Sequence, residues 1–312
     1  MKLFNKDGNG AQEIVAAVGL ISSTITFDKW EPLLPLGIRD VIAIIGSEPV
    51  ETLAAFYDSD DAADTDNLLT KPLFYLQQAV AFFTWLKVIP TLDAQHDEAG
   101  RSRRLGENEK GLTALEQFKD EENILRLAYE ATDMLIAALD AGKFDFWLTS
   151  RKYLLREGLL IRSLEDMNEY YNIGSHRLFV TLLPMLREIQ LTEIKPIVGN
   201  YLAQMLAGDD KTADLCDTAK RCMALLTMKK AVERLPVEVL PEGIVQVQQS
   251  TPVKSRIKAT QEAREAVASS LGTDAKRYLQ QLQDLVDELN AEGNEVDYYI
   301  SKPLVHSKGM SF

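Results

Sequence analysis

Cysteine and histidine are scarce in this sequence, at two and three residues among 312. Cys216 and Cys222 cannot build a disulfide framework; on one helix they fall on different faces, and each reads as a reduced core residue. His96, His176 and His306 have no partner at metal-ligand spacing, and the absence of a Glu-x-x-His pair removes a ferritin-like di-iron bundle. Asn5-x-Asp7-x-Asn9-Gly10 opens like a calcium loop but carries Ala16 at its twelfth position. Asp58-x-Asp60 lacks the central glycine and the closing carboxylate, so both segments read as structural loops. There is no phosphate-cradling glycine loop and no nucleophile elbow. Glu107, Glu109 and Asp120 to Glu122 suit the wet face of a helix better than a catalytic pair. The sequence therefore points to a non-enzymatic protein with no cofactor and no metal.

Long hydrophobic runs are missing too. The longest apolar cluster, Ala79 to Val88, is interrupted by Thr84 and Lys87 and falls short of the roughly 18 apolar residues a membrane span needs. The opening MKLFNKDGNG has no signal-peptide core, so the expectation is a chain made in a cytosol, with no membrane partner. Basic charge is short: 34 Lys and Arg against 47 Asp and Glu leave a net charge of −13. Such a balance argues against a duplex reader, which needs phosphate contacts, and keeps a helical protein soluble. Arg101, Arg103 and Arg104 form the one dense basic cluster. It reads either as a solvated loop or as a contact to an acidic neighbouring subunit or to passing DNA phosphate.

What the chain does have is helical periodicity, stated twice. Ser22 to Gly46 lies on Ser175 to Gly199 at a constant shift of 153, and Ala81 to Gly100 lies on Ala224 to Gly243 at a constant shift of 143. Ile38, Val41, Ile42 and Ile45 make an apolar stripe closed by Gly46. Glu48 to Tyr57 continues helically, with Val50, Leu53, Ala54 and Tyr57 on one face, and a long buried helix over 69–89 is expected to stop at Pro90. Trp30, Phe82, Phe83 and Trp85 read as core. Val237 to Leu240, a Pro241-Glu-Gly243 turn and Ile244 to Val247 predict a β-hairpin; the duplication transfers that prediction to the segment around Gly100. Long helices are expected over 109–141, with Leu112, Leu115, Leu125 and Leu139 inward, and over 255–290. Phe144 to Tyr171 reads as one connecting helix, broken by Asn172 to Ser175, with Ser175 able to cap the next helix.

The expected fold is thus mainly α: a duplicated helical-bundle unit, each copy with a small β-hairpin, joined by a central helix. Residues 1–143 form the first unit, 144–172 the link, 173–290 the second unit, and 291–312 an extended arm. Candidate interaction residues are Arg101, Arg103 and Arg104 in the first hairpin and Ile244, Val245 and Val247 in the second. Tyr298, Tyr299 and Phe312 in the terminal arm complete the set.

Several ordered patterns carry a family resemblance. They are Ile21 to Pro35 with Ile44-Ile-Gly46, Leu105 to Lys110, Glu169 to Gly174, Leu182 to Arg187, Ile194 to Gly199 and Leu240 to Val245. Through them the chain resembles, from about residue 12 to 290, a helical family encoded among structural genes of phages and prophages of Bacteroides-type bacteria. Each half is also similar in element order to the phage head–tail connector fold. That resemblance implies a virion neck adaptor made in the host cytoplasm. It would be a ring of its own copies, commonly twelve-fold, that meets the portal and tail or further neck proteins and lets DNA pass without specific binding. The rival is a cytosolic helical scaffold gripping a partner peptide or helix between its halves; an enzyme with an acidic site comes third.

Overall fold

A computed structural model describes residues 1–19, 25–97, 100–103, 112–235, 246–250, 253–257 and 261–292. The fold is mainly helical. Residues 1–9 hold no helix but are anchored, with Leu3 and Phe4 buried and Gln77 Nε2 donating to the Leu3 carbonyl at 2.7 Å. Then come α1 (Gly10–Val18), α2 (Leu34–Ile45), α3 (Ser47–Asp58) and α4 (Thr70–Asp93). In α2 the expected stripe is inside: Val41 and Ile45 are fully buried and Ile38 and Ile42 pack beside them. Gly46 closes α2 at φ +92°, a value that favours glycine, while its N–H donates to the Ile42 carbonyl. Val50, Leu53, Ala54 and Tyr57 of α3 are buried as their spacing predicts.

Helix α4 does not stop at Pro90. It runs to Asp93, and Pro90 sits in its last turn, where the missing N–H costs one hydrogen bond and the ring already fits helical φ. Next come β1 (Ala94–Asp97) and β2 (Gly100–Arg103), paired antiparallel with Asp97 opposite Gly100. Helix α5 (Ala114–Gly142) begins later than expected because Thr113 and Glu116 form a capping box. Leu112, expected inside, lies before that cap and is 53% exposed.

The single connecting helix is replaced by three short ones: α6 (Asp145–Leu148), α7 (Arg151–Leu154) and α8 (Leu164–Tyr170). Ser150 and Ser163 each cap a new start, and Gly158 at φ +69° turns the chain between them. Leu159, Leu160 and Ile161 are buried in that non-helical stretch.

The second half runs α9 (His176–Ile189), a π-helical turn over Gln190–Ile194, α10 (Lys195–Val198), α11 (Tyr201–Ala207) and α12 (Ala213–Arg234). Ser175 caps α9 as expected, accepting from Leu178 N. After α12 come β3 (Gln246–Ser250), β4 (Val253–Ile257) and α13 (Gln261–Glu292). The strand pair described here joins Gln246–Ser250 to Val253–Ile257; the hairpin expected over 237–247 lies, but for its last two residues, outside the described residues. Residues 255–257, expected to open the last helix, are strand.

Packing repeats. Helices α1 and α2 lie on α4, which packs against α5; α8 and α9 lie on α12, which packs against α13. Cys222 Sγ meets the Ala275 carbonyl and Arg264 donates to the Val232 and Leu235 carbonyls, so α12 and α13 run antiparallel. Trp30, Phe82 and Phe83 are core, and Trp85 stacks on Trp30 at 5.0 Å. Buried residues from Leu3 to Val286 form one contiguous cluster, so the halves share a core.

Close helix contact depends on Gly37. A Cβ there would lie 2.2 Å from Thr84 Oγ1 and 2.8 Å from the Val80 carbonyl, to which Thr84 already donates. Gly37→Ala is expected to cost about 1–3 kcal/mol by forcing α2 off α4. A chemical-melt midpoint equal to that of the parent chain would contradict this contact.

Candidate functional site

The densest chemistry among the described residues lies where the two halves meet, at the packing of α5 against α9 and of α6 against α3. Its centre is Asp140, in the last turn of α5. Arg156 Nη1 donates to both Asp140 carboxylate oxygens, at 3.0 and 3.1 Å, and Trp147 Nε1 donates to Oδ1 at 2.6 Å. His176 Nδ1 stands 3.8 Å from Oδ2. Arg156 is 6% exposed and its guanidinium lies 4.8 Å from the Tyr153 ring centre, 5.7 Å from Trp147 and 5.5 Å from Phe179. Three aromatic faces and one carboxylate thus offset the cost of burying that charge.

Two turns back along α5, Asp133 does a second job. Its Oδ1 accepts from the Arg177 backbone N–H at 2.5 Å and its carboxylate accepts from Ser175 Oγ at 3.0 Å, so a helix of the first half caps the first turn of α9. The Arg177 guanidinium lies 3.9 Å from the centre of the Tyr129 ring, which meets Phe83 edge-on. Burial pushes the Asp133 carboxyl above its ordinary 3.8, against the pull of those hydrogen bonds and of Arg177. A raised folded value contributes stability that is full below the ordinary value and is lost as pH rises through the folded one. Asp133→Asn, which keeps an acceptor and removes the charge, should therefore gain on the parent at pH 7 and lose that advantage towards pH 4. Parallel urea melts at the two pH values check it; a gap that widens on acidification would contradict the assignment.

The link is fastened to α9 by two further side chains. Gln190, 4% exposed, accepts from Leu160 N at 2.8 Å and donates to the Gly158 carbonyl at 2.5 Å. Arg187 Nη2 donates to the carbonyls of Leu155 and Glu157. None of Asp133, Asp140, Arg156 or Gln190 stands out in the sequence. The available signal was Asp133 and Asp140 seven positions apart beside the buried stripe of α5, facing the Ser175 cap.

Of the sequence-chosen interaction residues, the three that are described lie in the strand pairs. Arg101 and Arg103 lie in β2, opposite His96 and Ala94, and Val247 lies in β3, opposite Arg256. Arg104, Ile244, Val245, Tyr298, Tyr299 and Phe312 fall outside the described residues. The Asn5 loop is held by its own bonds: Gly10 N donates to Asn5 Oδ1, and the Asn5 N–H and the Tyr57 hydroxyl both donate to Glu13. Burial pushes the Cys222 thiol up to about 12 and also raises half-buried Cys216. Native-state labelling with a thiolate-selective reagent should reach Cys216 first and Cys222 only on unfolding. The reverse order would contradict the packing of α12.

These features define a class: a mainly helical protein whose repeated halves share one core and are pinned together by buried charge. No described helix is long and apolar enough to cross a membrane. The chain belongs to the family of unknown function DUF6712, matching it over residues 47–154 and 182–296. Each matched segment spans a long helix pair, α4 with α5 or α12 with α13. No curated protein and no solved structure matches the chain.

Proposed function

We propose that this chain is a structural virion protein, a head–tail connector or neck adaptor. Its copies form a ring, twelve-fold in the simplest case, between portal and tail, and DNA passes through without specific binding. The observation that carries the reading is the helix pair built twice around one core, each pair joined by a segment containing a strand pair. A fixed body with two like strand pairs suits repeated subunit contacts, and two-stranded sheets suit strand addition. The net charge of −13 suits a channel wall that DNA must slide past. The scaffold alternative needs an open groove between the halves, and the described seam is filled by the α5–α9 contact. The test is peptide mass spectrometry of phage-like particles purified from cells that make the chain. The connector reading expects it in fixed ratio to the portal protein; particles complete with portal and tail but lacking the chain would overturn it.

A further inference from the structure

Residues 3–6 lie on the body as a bound peptide would. The segment is not helical, and side chains from three helices hold its backbone. Gln77 of α4 donates to the Leu3 carbonyl at 2.7 Å, Glu13 of α1 accepts from Asn5 N at 3.0 Å, and the Tyr57 hydroxyl of α3 accepts from Lys6 N at 2.8 Å. Tyr57 in turn donates to Glu13 at 2.6 Å, so the two acceptors are fixed against each other. Leu3 and Phe4 are the anchors, 2% and 3% exposed. Side chains that satisfy a segment's main chain, beside pockets for its apolar residues, are the elements of peptide recognition. The connection to α1 is of a different kind. Asp7, Gly8 and Asn9 are exposed, and Gly8 stands at φ +79° with open space around it.

We propose that the groove between α1, α3 and α4 is a peptide site that accepts the same segment from a second copy of this chain, by exchange. A second copy is the fitting occupant because it carries the one sequence, Leu3-Phe4-Asn5-Lys6, whose fit to these contacts is on view within the chain. Identical copies trade such an element without needing a new interface, because every bond made at home is remade abroad. The connection permits it. In the closed form Gly10 N donates to Asn5 Oδ1 at 3.1 Å, and Asn5 takes φ +70°, a left-handed value that turns the chain back towards α1. An extended connection does not need that conformation, which costs a residue with a Cβ more than it costs glycine. Residues 6–9 drawn out span at most about 14 Å, so exchange brings the α1 starts of two copies close together. The inference stands apart from the connector reading, since it needs neither portal nor ring.

The experiment uses the full chain with Leu3→Ala/Phe4→Ala, which removes the anchors and leaves the groove intact. The segment leaves as a unit, so the loss is limited to its docking and the body keeps a cooperative melt. Leu3→Ala alone replaces the pair if that melt is absent. The probe is a labelled synthetic peptide of residues 1–9. Fluorescence anisotropy should show saturable binding to the alanine variant and at least about tenfold weaker binding to the parent, whose own segment competes. Adding Tyr57→Phe and Gln77→Leu to the alanine variant should weaken the peptide by a similar factor. For exchange, a chain with Tyr57→Phe/Gln77→Leu and its segment intact is mixed with the alanine variant. Native mass spectrometry should show a one-to-one pair that neither chain gives alone. No peptide binding to the folded alanine variant would overturn the site, and peptide binding without a pair in the mixture would overturn the second copy as its occupant. Neither result bears on the connector reading, which the portal experiment tests separately.

Discussion

Asp140→Ala lowers the stability of the folded chain by about 3 kcal/mol, near the low end for breaking a buried pair because Asp140 keeps a quarter of its side chain in water. The loss comes less from the vanished attraction than from what stays behind. Arg156, 6% exposed, would be left with only ring faces around its charge, and the Trp147 indole N–H would lose its acceptor. Asp140→Asn should fall between, since an amide oxygen still accepts from Trp147. The informative partner is Arg156→Met. Combined with Asp140→Leu it removes both charges and should recover part of the loss, giving a double variant more stable than Asp140→Ala alone. Urea-melt midpoints of the four variants decide it. A loss below about 1 kcal/mol for Asp140→Ala would mean the junction is a surface pair in energetic terms.

Trp30→Ala is expected to cost about 3–5 kcal/mol, the range for emptying a buried aromatic site. Trp30 is 1% exposed and lies nearly parallel to Trp85, with 17° between the rings. It sits between Phe27–Lys29 and α2, so its removal loosens the seat of α2 on α4. Trp30→Phe keeps an aromatic face over Trp85 and should retain most of the stability. If the alanine variant melted within about 1 kcal/mol of the parent, the ring could not be the anchor described.

Those two sites differ in how readily the sequence discloses them. Trp30 was legible as core from its apolar company, and the α2 stripe, Gly46 and the Ser175 cap were legible because each is a local pattern. Asp140 and Arg156 look like ordinary surface charges; only the fold, which brings together groups 16 positions apart under Trp147, makes them a buried pair. Asp133 and Ser175 are 42 positions apart and belong to different halves. The link misled for a related reason. Tyr153, Leu160, Leu164 and Met167 fit one helical face, but Ser150 and Ser163 are strong caps that restart the helix twice. The second strand pair falls on either side of Thr251-Pro252, a turn signal the sequence reading passed over. The doubled pattern is legible in the sequence; the one core that runs through the whole chain is not, because local patterns do not reveal it.

The central claim is that the repeated body assembles on a portal, and particle mass reads this directly. The purified chain, alone and mixed with portal protein, should gain a species whose mass is a portal ring plus a whole-number complement of 34.9 kDa chains. A chain that remains a monomer of that mass in the presence of assembled portal would contradict the account.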